Sequence, residues 1–370
     1  MKGKILIITA IILILVIAAL LCKVVVLGRP LNTSADTRLA GLDEDLAEAL
    51  HYAALAANSH NAQNWRLEIH TADRQIKVFM DNLRTLPATD PARREAYISL
   101  GCYLESLSSA LDTFGYDSEI AYTTDQKGGN EIAAVSFRKR NKAAINEKQL
   151  TIIKRRHTDK TAYKTEPINP ADIRQLLDKY PQIRCFETGS PQFNYIQQET
   201  LAAMAEQNQN SAYRKELNRW LRFSNREAEQ KQDGMPAEQL GIRGITKGFY
   251  YLTTNHGNAE KDSFAKQSLK IAANQLEHCS AFFVISGGSN IIDWIETGRT
   301  TQSFWYDCVE KGISLHPISA LPEVRPADNI KAKLDLSANA QMILRAGYVE
   351  DYGQNTGYRR NLADYITIVD

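Results

Sequence analysis

The chain has 370 residues with Lys+Arg 44 against Asp+Glu 43, a net charge of +1 that does not suggest nucleic acid or an acidic polymer as partner. Its length allows one large or two ordinary domains with full cores. Five scattered cysteines (Cys22, Cys102, Cys185, Cys279, Cys308) form no C-x-x-C pair and no zinc spacing, and the histidines form no H-E-x-x-H, so no metal site is expected.

The first four residues are a short tail, and Ile5 to Leu27 is an apolar run broken only by Lys23. As a helix it would rise roughly 30–35 Å, enough to cross a bilayer. It is too long for a signal peptide and lacks an A-x-A-like site, which predicts an uncleaved single-pass anchor in the cell membrane. Lys2 and Lys4 before it nearly balance Lys23, Arg29 and Arg38 after it, and the short tail favours an extracytoplasmic soluble part. Residues 28–40 read as a linker, opened by Gly28 and Pro30 and continued by the polar spacer Asn32–Thr37.

Leu42 to Ala57 has helical periodicity and ends in the polar cluster Ser59-His60-Asn61-Ala62-Gln63-Asn64-Trp65-Arg66. A hairpin follows (Leu67–His70, Ile76–Met80), then a long helix over Arg93–Gly115 and strands near Ser118–Thr124 and Ala133–Arg138. Residues 41–145 thus form a first α+β unit. The second, 146–370, opens on Lys154-Arg155-Arg156-His157-Thr158-Asp159-Lys160, read as a cationic loop suited to an anion. A helix over Asp172–Lys179, a strand over Ile183–Glu187 and helices across Tyr195–Arg222 come next. Residues 225–261, rich in glycine and aromatics, read as an inserted excursion that could act as a lid. The apolar strand Ala281–Ile285, a turn at Ser286–Asn290, a long helix over Thr297–Gly312, a strand near Met342–Gly347 and the basic tail Tyr358–Leu362 close the chain.

The two long helices hold comparable places in successive units, which predicts two diverged halves packed as a pseudo-dimer. In this setting Arg156-His157-Thr158-Asp159-Lys160 resembles the R-[HR]-[ST]-x-[KR] opening of FMN-dependent nitroreductases. Ser59–Arg66 resembles their S-x-x-N-x-Q-P-W segment, with Asn64 in place of proline, a change that predicts a looser turn. Gly298–Gly312 followed by Pro317 resembles their central helix and flavin-facing turn, and Arg359-Arg360 their C-terminal cationic contact. Each motif occurs once and in opposite halves, as in the single-chain, Acg-type members, so a monomer suffices for one site.

The resemblance implies a nitroreductase-like fold binding one FMN. Arg155, Arg156 and Arg359 or Arg360 would hold its phosphate, with Thr158 on the phosphate or ribityl chain. Ser59, His60, Asn61 and Gln63 would meet the ribityl hydroxyls and ring edge, and Pro317 the ring. Lys160 would face the N1/O2 edge, where reduction leaves negative charge. No side chain would act as a catalytic nucleophile. The implied activity is transfer of reducing equivalents from NAD(P)H or a membrane quinone, through FMN, to a nitroaromatic, quinone or similar acceptor. The alternatives are a flavin store with little turnover and a membrane-tethered electron-transfer partner.

Overall fold

The computed structural model describes residues 2–33, 37–124, 130–141 and 144–369, so part of the polar spacer lies outside the described residues. Helix α1 (Lys2–Leu27) is long and apolar enough to cross a membrane, with mean hydropathy 3.4 in its most apolar window. The chain then runs through α2 (Glu44–Ala53), β1 (Trp65–His70), β2 (Gln75–Met80), α3 (Arg94–Thr113), β3 (Tyr116–Tyr122) and β4 (Glu131–Lys139). α2 stops at Ala53, short of the expected Ala57. The carbonyls of Ala54 and Leu55, just past its end, become acceptors at the site described below.

The second unit begins with a helix that periodicity did not suggest, α4 (Glu147–Arg155). Lys154 and Arg155 therefore close a helix, where cations favour the C-terminal dipole, instead of standing in a loop. α5 (Pro170–Lys179), β5 (Ile183–Glu187), α6 (Pro191–Gln209) and α7 (Ser211–Trp220) follow. The excursion is helical: α8 (Asn225–Lys231), α9 (Gly244–Thr253), α10 (His256–Ala259), and then α11 (Asp262–Glu277). β6 (Ala281–Gly287) leads through a turn to α12 (Ile291–Glu310), whose N-terminus is closed by a capping box between Asn290 and Asp293. β7 (Ser314–Pro317), α13 (Ala320–Val324), α14 (Ala327–Leu334), β8 (Asn339–Gly347) and β9 (Ile366–Val369) complete the order.

The strands form two sheets, β3-β4-β2-β1-β9 and β5-β6-β8-β7. The C-terminal β9 crosses back to lie parallel to β1, with Leu67 opposite Ile366. This return carries the basic tail under the first unit. One continuous core joins both sheets, from Leu67 and Val78 to Phe283 and Leu344.

The two long helices cross at a pair of glycines. A Cβ on Gly101 would stand 2.0 Å from the Ile295 carbonyl oxygen, and one on Gly298 2.0 Å from that of Ile98. Only glycine lets the backbones approach this closely. Both helices carry side chains into the same cavity, so their crossing sets its width.

Candidate functional site

A cavity of about 710 Å³ collects side chains from both motifs: Ser59, His60 and Asn61 from the first, Thr158 and Lys160 from the second. Pro317 and Arg359 line it too. Its size falls in the range of small-molecule and cofactor sites. Gln63, Arg155, Arg156 and Arg360 are not among its lining residues.

The first motif sits in a strained backbone. His60, Asn61 and Gln63 all have positive φ (51°, 53° and 54°), a region that costs a non-glycine residue energy and needs surrounding bonds to hold it. Asn61 supplies them: its Nδ2 donates to Gly234 O at 3.0 Å and to Tyr358 O at 3.1 Å. Its Oδ1 is buried without a partner among the described residues. Gln63 is consumed as a bracket, with Nε2 donating to Gln232 O (2.8 Å) and Oε1 accepting from Arg360 N (2.9 Å). The expected loosening at Asn64 does not occur. Its side chain is buried and donates to Ala96 O at 3.0 Å, a tether to α3 that replaces proline's stiffness.

The second motif lies along the edge of β7, where Thr158 bridges Leu315. Arg345 holds it in place. This fully buried guanidinium lies 3.8 Å above the Tyr163 ring and donates to the carbonyls of Asp159 (3.1 Å), Thr161 (2.8 Å) and Gln275 (2.6 Å). Gln275 Nε2 returns a bond to Lys160 O at 2.6 Å. The Lys160 main chain is thereby pinned while its ammonium is left in the cavity, where, among the described residues, it is bonded only to the Met235 sulfur at 3.8 Å. Burial, reinforced by Arg345, lowers the Lys160 pKa to about 8. His316, also in the wall, is pushed well below its ordinary range by burial, then by Arg345 and Lys160, and its Nδ1 has no partner. It is held as a neutral ring.

The two remaining arginines of interest converge on the end of α2. Arg359 Nε donates to Ala54 O, and Arg156 Nη2 donates to Leu55 O at 2.5 Å. Arg156 is 3% exposed, stacks 4.8 Å from the Trp305 ring, and keeps Nε and Nη1 unpaired. Burial, then repulsion from Arg156, lowers the Arg359 pKa to about 9. Among the described residues neither arginine, nor Lys160, has a carboxylate within ion-pair distance, whereas the wall carboxylates have partners of their own. Glu95 pairs with Arg94 at 2.5 Å, and Glu238 pairs with Lys247. Buried cations left over in this way call for an anion. Arg360 belongs elsewhere: Nη2 donates to Gln63 O (2.6 Å) and Trp65 O (2.7 Å), fastening the tail to β1. Arg155 stacks 4.8 Å from Tyr352, away from the cavity.

Sequence reasoning missed His316, Arg345, Glu95 and Glu323. Arg345 left a signal, a lone charge inside the strand expected near Met342–Gly347. The carboxyl of Glu323, in the wall, is raised by burial and by nearby Glu95; an acid inside a short helix gave no warning.

Lys160 makes a pH prediction. Its folded pKa lies below its ordinary 10.5, so between about 8 and 10.5 the unfolded chain holds a proton the folded chain has released. In that window its contribution to stability rises with pH. Lys160→Met should remove this part of the rise, by about 1 kcal/mol or more, in denaturant unfolding of the ligand-free protein from pH 8 to 9.5.

No protein-family model matches the chain. Over 146 residues, 38% of its length, it is 28% identical to the "Probable NAD(P)H nitroreductase PigM" of Serratia sp. (strain ATCC 39006). Over 94 residues it is 31% identical to the uncharacterized protein Rv3127 of Mycobacterium tuberculosis. These matches span 41% and 27% of the relatives' own lengths. Among solved structures it is similar to the FMN-dependent nitroreductase NfnB from Mycobacterium smegmatis in complex with NADPH, at 13% identity and TM-score 0.39, covering 59% of this chain and 96% of that one. A nitroreductase with bound FMN from Bacteroides fragilis gives 13% and 0.33, covering 60% and 98%. By sequence, then, 38% of the chain is similar to a probable NAD(P)H nitroreductase.

Proposed function

We propose that the protein is an FMN-dependent oxidoreductase of nitroreductase type, built from two diverged halves around α3 and α12 and tethered to a membrane by α1. One observation carries the reading: buried Arg156 and Arg359 and the cavity-facing Lys160 have no carboxylate partner among the described residues, while both flavin motifs meet in one cavity. The residues fit the cofactor at both ends. Arg359, backed by Arg156, would hold the phosphate; Ser59, His60 and Asn61, with its unpaired Oδ1, would meet the ribityl chain and ring edge. Thr158 would bond the phosphate or ribityl chain, and Pro317 would face the ring. FMN, when bound, supplies hydride and electron transfer. The protein's own part is to bind, orient and charge-stabilise. NAD(P)H, for which the Serratia relative is named, is the proposed donor.

The test is the visible absorption spectrum and flavin content of the purified full chain, with one non-covalent FMN per chain expected. Two flavins, or none after reconstitution, would overturn the reading. Lys160 should also tune the cofactor. An ammonium near the ring attracts the reduced, negatively charged form more than the oxidised one. Lys160→Met is therefore expected to lower the two-electron midpoint potential by roughly 20–45 mV, equivalent to about 1–2 kcal/mol, with FMN still bound. An unchanged potential would put Lys160 away from the ring.

A further inference from the structure

The cavity meets the molecular surface at α9 and α11. Phe249 and Ile271 both line it and are exposed, 48% and 40%, and Ile245, one turn before Phe249, is 63% exposed without lining it. Large apolar side chains gathered at a cavity mouth mark a surface that something covers.

The anchor says what covers it. α9 grips the end of α1 backbone to backbone: a Cβ on Gly248 would stand 2.0 Å from Val24 O, and one on Gly28 2.3 Å from Gly244 O. Gly244 and Gly248 are one turn apart, the small-x-x-x-small spacing that lets helices approach closely. The joint is also bolted. Lys247 Nζ donates to Arg29 O (2.8 Å) and pairs with Glu238, whose Oε1 accepts from Leu31 N at 3.2 Å. α1 therefore cannot swing away from the excursion without breaking the bonds that this ion pair makes to Arg29 and Leu31. Ile5–Val24 would cover roughly 30 Å, the thickness of the hydrocarbon core. α9 thus holds α1 at the level where a spanning helix leaves the lipid. Val25 and Val26 are still half exposed there.

We propose that the α9–α11 face lies in the membrane interface and that the cavity opens onto the bilayer, so that its second ligand is a planar ring with an apolar tail, the chemistry of a membrane-dissolved quinone. The ring would reach the polar end of the cavity at Lys160 and His316. The tail would leave past Phe249 and Ile271 without crossing water. This rests on the flavin reading for the ring's destination, but not for the membrane seating.

Both parts are tested on the full chain in phosphatidylcholine–phosphatidylglycerol vesicles. The emission added by Ile245→Trp or Phe249→Trp should be quenched by lipids brominated on the acyl chains, above the baseline of the four native tryptophans. A water-like, unquenched emission would hand this face to a soluble partner and overturn the proposal. In the second arm, FMN-loaded Ile245→Glu should keep one flavin per chain and bind a water-soluble short-chain benzoquinone as the wild type does. It should bind a decyl-chain benzoquinone from vesicles about tenfold more weakly, the order expected for losing one apolar contact with the lipid-borne tail. Equal binding of both quinones by wild type and variant would overturn the portal. Absence of FMN from the wild type would instead overturn the flavin reading, and the tryptophan arm would still decide where the face lies.

Discussion

Arg359→Met will weaken FMN binding about 30- to 1000-fold, or about 2–4 kcal/mol, as expected for removing a charged partner from a desolvated phosphate. Arg156→Met will act differently. Its guanidinium lies behind the wall, stacked on Trp305, with two of its three nitrogens unpaired. Removing it should cost FMN affinity about tenfold, because it supports the phosphate through charge alone. In the FMN-free protein the same change should raise stability by about 1 kcal/mol, since methionine keeps the apolar contact and removes a buried charge that lacks an anion. Isothermal titration with FMN and urea unfolding without it check the two halves. A loss of ligand-free stability on Arg156→Met, with FMN affinity intact, would make that arginine a packing residue. Opposite signs in the two measurements are what an anion site requires, because the cation is tolerated in the fold only for what it binds.

Much of this was legible in the chain, and the failures have physical causes. The hairpin, the two long helices and the strand before α12 were readable because local periodicity and turn residues agree with the final packing. α4 was not, because Glu147–Arg155 carries its apolar side chains (Leu150, Ile153) between charges, and the cations at its end resemble a loop. β7 and β9 are only four residues each, too short for alternation to show. At the site, residue types identified the motifs but not the division of labour within them. Gln63 and Arg360 match the pattern as well as Asn61 and Arg359 do, yet they bond each other's backbone in the fold. Which of two adjacent arginines faces a cavity depends on where β9 crosses back beside β1, a contact nearly 300 positions apart in sequence. The glycines of α9 were visible as a cluster, but their spacing has meaning only once α1 is seen to lie against them.

Gly298→Ala is expected to destabilise the protein by about 3 kcal/mol or more, a large effect for one methyl group. The added carbon would stand 2.0 Å from Ile98 O and 2.8 Å from both Cys102 N and Gly101 Cα, all backbone atoms or atoms bonded to backbone, with no flexible side chain to move aside. The helices must separate, and the Cys102 Sγ contact to Gly298 O at 3.2 Å is lost with them. Gly101→Ala forces the same separation from the other side, through Ile295 O. The two substitutions should therefore be less than additive, because once the helices have parted the second methyl group enters space the first has opened. Thermal unfolding of the two single variants and the double variant measures this coupling, and full additivity would mean that each glycine relaxes locally. The separation has a functional reading as well. Ser99 and Cys102 of α3 and Thr301 and Trp305 of α12 line the same cavity, and Trp305 also carries the Arg156 stack. A variant that still folds should thus bind FMN more weakly although no flavin motif residue has changed. Unaltered affinity would show that the helix crossing sets stability alone.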